Sequence, residues 1–229
     1  MIRHPSPNFG PRRGGARPDM IVLHHTAMRT AKAARDRLCD PATEVSAHYL
    51  IGERGEIWHL VDDEMRAWHA GVGQWGGVTD VNSRSIGIEL ANTGAHPYPA
   101  PQMAALEALV AGVMRRWRIA PERVIGHSDM APARKFDPGP RFDWARLARQ
   151  GLSVWAQPRI PDEVSQCAFL HHAATFGYRL FDGVSPEDIL RAFRMRFRPS
   201  AIGPIMPADC AMIADLAERF PVDRDTATA

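Results

Sequence analysis

A chain of 229 residues with 45% hydrophobic content is long enough to fill one good-sized core and a smaller companion. Its net charge of +2 and scattered arginines, which form no basic stripe, argue against a nucleic-acid partner. Three widely separated cysteines, Cys39, Cys167 and Cys210, show no CxxC spacing and argue against a disulfide framework or a structural zinc knuckle.

The opening MIRHPSPNFGPRRGG has basic residues with no apolar segment behind them, so it does not read as a signal peptide. No apolar run elsewhere is long enough to span a membrane. A cytoplasmic location is the expectation; a periplasmic or outer-membrane-associated one would apply if an export signal had been removed. Residues Met1 to Asp19, rich in Pro, Gly and Arg, are expected to form an irregular arm. Ile21-Val22-Leu23-His24-His25 is an apolar run ending in two histidines and reads as a buried strand. Successive side chains of a strand face opposite ways, so only one of His24 and His25 can enter a given site.

Thr30 to Leu38 has the pattern of a surface helix. Ser46 to Val61 reads as a hairpin, with AHYLI and EIWHLV flanking Gly52-Glu53-Arg54-Gly55. RAWHAG, Arg66 to Gly71, leads into a glycine-rich loop. Ser85 to Leu90 is a second buried strand that carries Glu89 inside an otherwise apolar run. Pro101 to Ile119 is the clearest helix, with Leu106, Leu109, Val110, Val113, Met114 and Trp117 on one stripe. Val124 and Ile125 form a short strand, Gly126 turns the backbone, and His127 stands at the strand's mouth. Pro132, Pro138 and Pro140 stiffen the loop that follows. In an extended segment residues i and i+2 point the same way, so Lys135 and Asp137 are expected to face one cavity. Phe142 to Gln150 reads as a closing helix with Gly151 just past its end.

Pro158-Arg159-Ile160-Pro161 reads as a linker, and beyond it the pattern is helical only. Helices are expected over Asp162 to Phe176, from an N-cap at Ser185 onward, and over Pro207 to Phe220, with a frayed tail from Val222 to Ala229. This divides the chain into a catalytic domain, 1–157, and a small three-helix domain, 158–229.

His24, Glu89 and His127 lie at the C-terminal ends of apolar runs, where open α/β sheets place their sites. Asp137 joins them through the ordered loop. Taken singly, each has an ordinary reading as a core imidazole or an ion-pair partner. Taken together, two imidazoles and a carboxylate suffice for one catalytic Zn²⁺, which would bring the pKa of a bound water to roughly 7. A carboxylate in an apolar run is costly to bury as an ion, and Glu89 suits the role of general base and later acid. Lys135 suits stabilisation of an oxyanion. These roles describe hydrolysis of an amide.

VLHHTA, SAHYLI, WHAG, IGIEL and above all GHSD followed by ARKFDPGPRFDW resemble the zinc-dependent N-acetylmuramoyl-L-alanine amidases, the type-2 amidases related to peptidoglycan recognition proteins. The resemblance runs in order from about Ile21 to Trp144. It implies an α/β fold with a mixed central sheet flanked by helices, zinc held by His24, His127 and Asp137, Glu89 as catalytic acid and base, and Lys135 at the oxyanion. It puts His25 outside the metal shell. Asp137 where many relatives have Cys, and Ala47 before His48 where they have Tyr, resemble the bacterial recycling and cell-wall branch. ILRAFRMRFRP, Ile189 to Pro199, is similar to the core helix of a peptidoglycan-binding domain. The implied substrate is peptidoglycan or a soluble muropeptide, cut between N-acetylmuramic acid and L-alanine; the alternative is a protein that binds peptidoglycan without cutting it. His69 in the WHAG loop is a candidate to line the peptide groove, and the planar fork of Arg134 a candidate to pair with a substrate carboxylate.

Overall fold

The computed structural model describes residues 1–157, 160 and 163–223. Its elements follow in the order β1 (Ile2–Arg3), β2 (Phe9–Pro11), β3 (Met20–His25), α1 (Ala31–Leu38), β4 (Tyr49–Ile51), β5 (Ile57–His59), β6 (Met65–Ala67), α2 (Val81–Arg84), β7 (Ser85–Leu90), α3 (Ala100–Trp117), β8 (Val124–Gly126), α4 (His127–Met130), α5 (Trp144–Arg149), α6 (Gln166–Phe176), α7 (Pro186–Phe197) and α8 (Pro207–Arg219). Six strands make one mixed sheet in the order β1-β5-β4-β7-β3-β8, and β2 pairs with β6 apart from it. The β4–β5 hairpin is antiparallel. The remaining pairs of the sheet are parallel. This is the mixed, helix-flanked sheet expected above.

Alternation along the strands sets the two faces. Ile21 and Leu23 of β3, Ile86, Ile88 and Leu90 of β7 and Val124 of β8 lie beneath α3, whose Leu106, Val110 and Val113 cover them. Met20, Val22 and Ile125 face the other way and meet the C-terminal helices. Strands buried on both faces read as unbroken apolar runs, which is why β3 shows no polar alternation. On this second face α1 lies farther along, with Ala34 and Leu38 against Leu50 and Leu60. His24 and Glu89 fall on the same face, between α1 and the helical unit.

The N-terminal arm is more ordered than its Pro, Gly and Arg content implies. β1 extends the sheet beside β5, and β2 pairs with β6. Arg12 is buried and donates to the carbonyls of Asp63 (2.7 Å) and Ser83 (2.8 Å), contacts between distant segments that local composition does not announce. At the other end Val222 is buried and its N–H donates to Thr175 O (3.1 Å), while Asp223 accepts from Gly77 N (3.1 Å), so these two positions of the expected frayed tail are held. The rest of that tail, Asp162, and Pro158, Arg159 and Pro161 of the expected linker lie outside the described residues.

The three C-terminal helices form, the first starting at Gln166 and not in the residues just before it, because Ser165 is its N-cap. α6 is capped by Ser165, which accepts from Ala168 N, and α7 by a capping box between Ser185 and Asp188. They do not stand apart from the sheet. Phe169, Phe176, Phe193, Phe197, Ile213 and Leu216 share one apolar cluster with Met20, Val22, Trp75 and Ile125. A polar pin crosses this contact. Arg196 of α7 donates to Asp129 of α4 (2.8 Å) and to Val124 O (3.1 Å), and Tyr178 donates to the other oxygen of Asp129 (2.6 Å). Arg196 and Asp129 are each about 1% exposed in their side chains, and the guanidinium lies 4.3 Å over the ring of Trp144. Removing one partner of a buried pair strands the other charge and typically costs about 3–5 kcal/mol. Arg196→Met should therefore lower stability by about that amount in urea unfolding. Arg196→Met combined with Asp129→Asn should lose less than the sum of the two single changes, because the pair shares one interaction. A loss within the range of a surface substitution, about 0.5 kcal/mol, would contradict the pin.

Candidate functional site

Parallel pairing brings the site residues together. In the β3–β7 register His24 is the partner of Glu89, and in the β3–β8 register Leu23 is the partner of Gly126. His127, the residue after Gly126, therefore emerges beside His24. It opens α4, where Asp129 turns back to accept from Gly126 N (2.8 Å). The loop carrying Asp137 returns to the same point and is pinned by a bond from Ser128 N to Asp137 O (2.9 Å). Gly126 makes room for it: a Cβ there would stand 2.8 Å from Pro138 Cδ and 3.4 Å from Asp137 O.

The result is a compact trio. His24 Nδ1 is 2.9 Å from His127 Nδ1 and 2.9 Å from Asp137 Oδ2, and His127 Nδ1 is 3.0 Å from the same oxygen. All three residues are buried. Among the described residues they form the group of His, Cys, Asp or Glu side chains able to hold a metal ion. The hydrogen bonds behind them indicate what the trio presents. His127 Nε2 lies 2.8 Å from Ala70 O; a carbonyl only accepts, so Nε2 carries a hydrogen and Nδ1 is the nitrogen turned to the trio. Burial first, and His127 next, drive the pKa of His24 down to about 4, so this ring is neutral near pH 7. Burial opposes charge on Asp137, but the two imidazoles against it outweigh that and hold it well below the usual carboxylate range. Two imidazole nitrogens and a carboxylate oxygen packed this closely suit a divalent cation of the zinc type, and the donor set fits one.

Glu89 and Lys135 line the same cavity as the trio, a volume of about 290 Å³. Glu89 Oε2 is out of solvent contact and has no hydrogen-bond partner among the described residues. Burial, reinforced by the nearby charge of Asp137, pushes the Glu89 carboxyl up to about 8, while Lys135 pulls the other way. A carboxyl poised near neutrality and aimed at a cavity is suited to take up and release a proton. A larger cleft, of about 560 Å³, lies between Met1 and α3, but its Asp62 and Asp63 are engaged by Arg3 and Arg116.

Of the two candidates for substrate contact, His69 lines the cavity and Arg134 stands outside its lining. The His69 ring borders the cavity, but Nδ1 meets His24 Nε2 at 3.0 Å and Nε2 meets Ser85 Oγ at 3.1 Å. Arg134 turns its guanidinium onto the carbonyls of Ala70 and Val72, and so holds the segment whose Ala70 O receives His127. Arg37 of α1 and Trp68 line the cavity without having been anticipated. Arg37 has no ion-pair partner among the described residues and offers a cation to the cavity's lining. Its helix reads as an ordinary surface helix, and only the approach of α1 to the sheet's end reveals the role. His25 also borders the cavity but stays outside the trio, as alternation along β3 requires.

Residues 14–140 match the family model described as N-acetylmuramoyl-L-alanine amidase, and the chain belongs to that family. It is 34% identical to the N-acetylmuramoyl-L-alanine amidase AmiD of Escherichia coli over 236 aligned positions, covering 89% of this chain and 84% of AmiD. That coverage requires the match to run into the C-terminal helices. It is 35% identical to the 1,6-anhydro-N-acetylmuramyl-L-alanine amidase AmpD of Citrobacter freundii, over 63% of this chain and 87% of AmpD. The solved complex of E. coli AmiD with anhydro-N-acetylmuramic acid-L-Ala-D-γ-Glu-L-Lys superposes with a TM-score of 0.80 at 32% identity, over 95% of this chain and 93% of that one. The protein is thus an amidase of the cell-wall turnover and recycling type. Among its described residues no helix is long and apolar enough to cross a membrane.

The elevated Glu89 pKa has a consequence for stability. In the folded, metal-free protein the carboxyl keeps its proton up to about pH 8, whereas in the unfolded chain it ionises near 4.5. Between these values the folded state holds the extra proton, so the stability tied to Glu89 is complete below 4.5 and is lost as pH rises to 8. Glu89→Gln cannot ionise. Its metal-free form should gain on the native protein by roughly 1.4 kcal/mol per pH unit across that window, followed by urea unfolding. A difference that stays flat with pH would contradict the raised carboxyl of Glu89.

Proposed function

We propose that the trio of His24, His127 and Asp137 holds one zinc ion and that the chain uses it to hydrolyse the amide between the lactyl group of N-acetylmuramic acid and L-alanine. The observation that carries this reading is the convergence of His24 Nδ1, His127 Nδ1 and Asp137 Oδ2 in the cavity that Glu89 lines, its Oε2 without a hydrogen-bond partner among the described residues. A zinc ion, when bound, supplies Lewis-acid chemistry that acidifies water and polarises a carbonyl. Glu89 accepts the proton of the attacking water and passes it to the nitrogen of the departing L-alanine as the C–N bond breaks. Lys135 stabilises the negative charge that develops on the carbonyl oxygen. Arg37, in the lining of the same cavity, is available to a carboxylate of the stem peptide.

The substrate we infer is a muropeptide, the 1,6-anhydro form included. The ligand of the AmiD complex and the 1,6-anhydro-N-acetylmuramyl-L-alanine amidase activity for which AmpD is named support it. The Ile189 to Pro199 motif and the match to AmiD support a peptidoglycan-binding role for the helical unit, in addition to its packing on the sheet.

Incubation with anhydromuropeptide, followed by mass spectrometry of the freed peptide, tests the assignment. Glu89→Ala should lower kcat by about 10²–10⁴-fold, and Lys135→Met by about 10²–10³-fold. Stripping with a chelator should abolish release, and zinc should restore it. Normal release by Glu89→Ala, or full activity in the stripped protein, would overturn the proposal.

A further inference from the structure

From His24 a file of polar groups runs back to the backbone of α2. The Ser85 hydroxyl lies 2.6 Å from Val81 O. A carbonyl only accepts, so the hydroxyl hydrogen is spent there. Ser85 Oγ is then the acceptor for His69 Nε2, 3.1 Å away, which places the His69 ring hydrogen on Nε2. His69 Nδ1 is left as a bare lone pair, 3.0 Å from His24 Nε2, and must accept from it. His24 accordingly carries its hydrogen on Nε2 and turns the lone pair of Nδ1 toward His127 and Asp137. Each link follows from the one before it, and the chain begins at a peptide carbonyl whose role cannot reverse.

The surroundings hold this file in place. Asn82 Oδ1 accepts from the backbone N–H of His69 (3.1 Å) and of Ala70 (2.9 Å). The His69 ring packs on the bare α-carbon of Gly87, where a Cβ would stand 2.4 Å from His69 Cγ. Arg12 binds Ser85 O at 3.1 Å and so secures the far end. The two imidazoles meet edge to face, with centroids 5.1 Å apart at 81°.

We propose that His69 is a positioning residue for the metal: backed by Ser85, it fixes the tautomer and the ring orientation of His24, and it adds electron density to the nitrogen that binds the ion. The proposal rests on the zinc reading above and deepens it. An acceptor on the remote N–H of a ligating imidazole makes the opposite nitrogen a better donor and prevents the ring from turning away. Without that acceptor, His24 Nε2–H would be left buried and unsatisfied.

Zinc affinity, measured by competition with a chromophoric chelator, is the readout, so the test does not depend on activity. His69→Leu fills the space without an acceptor and should weaken zinc binding about 10–100-fold. His69→Asn places its side-chain oxygen where Nδ1 lies and should return affinity to within about threefold of the native protein. A role confined to filling space would give the opposite ranking, with Leu the better replacement. Two-bond ¹H–¹⁵N correlation spectra of the native, zinc-loaded protein provide a second readout that needs no variant. They should report His69 as the Nε2–H tautomer. Unchanged affinity in His69→Leu, or an Nδ1–H tautomer for His69, would overturn the relay while leaving the zinc site intact. Failure of the native protein to take up zinc would overturn the metal reading itself, and the relay with it.

Discussion

The rest of the fold holds two imidazole nitrogens and a carboxylate oxygen within about 3.0 Å of one another, close enough for all three to bind one cation. The adjacent parallel strands β7, β3 and β8 set Glu89, His24 and His127 side by side at one end of the sheet. A glycine at the end of β8 lets the Asp137 loop close over the same point. Arg134 holds the segment whose carbonyl orients His127. Asp129, two residues beyond His127, is gripped from α7 by Arg196. The C-terminal helices are therefore part of the support of the catalytic end and not only an appendage to it.

The same pocket shows a conflict between stability and chemistry. Glu89 sits in a strand whose neighbours are buried and apolar, with one oxygen lacking any partner among the described residues. A structure selected for stability alone would place an apolar residue or a paired charge there. What this arrangement provides is a carboxyl whose two protonation states are close in energy near neutral pH. The stability lost at Glu89 is offset by extensive burial on both faces of the sheet.

Much of this was legible in the residues. The runs ending at His24 and His127 and the run bearing Glu89 are short and apolar because both faces of those strands are covered, so their positions at strand ends were readable. Lys135 and Asp137 were readable as a pair because Phe136 between them points outward, as the i, i+2 rule requires. The N-terminal arm was not readable: β1 and β2 have only two or three residues, and their partners lie more than fifty positions away. The placements of His69 and Arg134 were also beyond local pattern. Their histidine and arginine side chains were identifiable as chemistry-bearing, but the groups they meet, on His24, Ser85 and the 70–72 backbone, come from segments joined only by the fold. Arg196 read as one arginine among several on an amphipathic helix, and its buried partner was invisible for the same reason.

The most direct test of the central claim is anomalous diffraction at the zinc absorption edge from crystals of the zinc-loaded protein. One peak is expected, within bonding distance of His24 Nδ1, His127 Nδ1 and Asp137 Oδ2, with the Glu89 carboxyl facing it across the cavity. A peak bonded to other side chains, or no peak at this trio in crystals grown with zinc, would contradict the account.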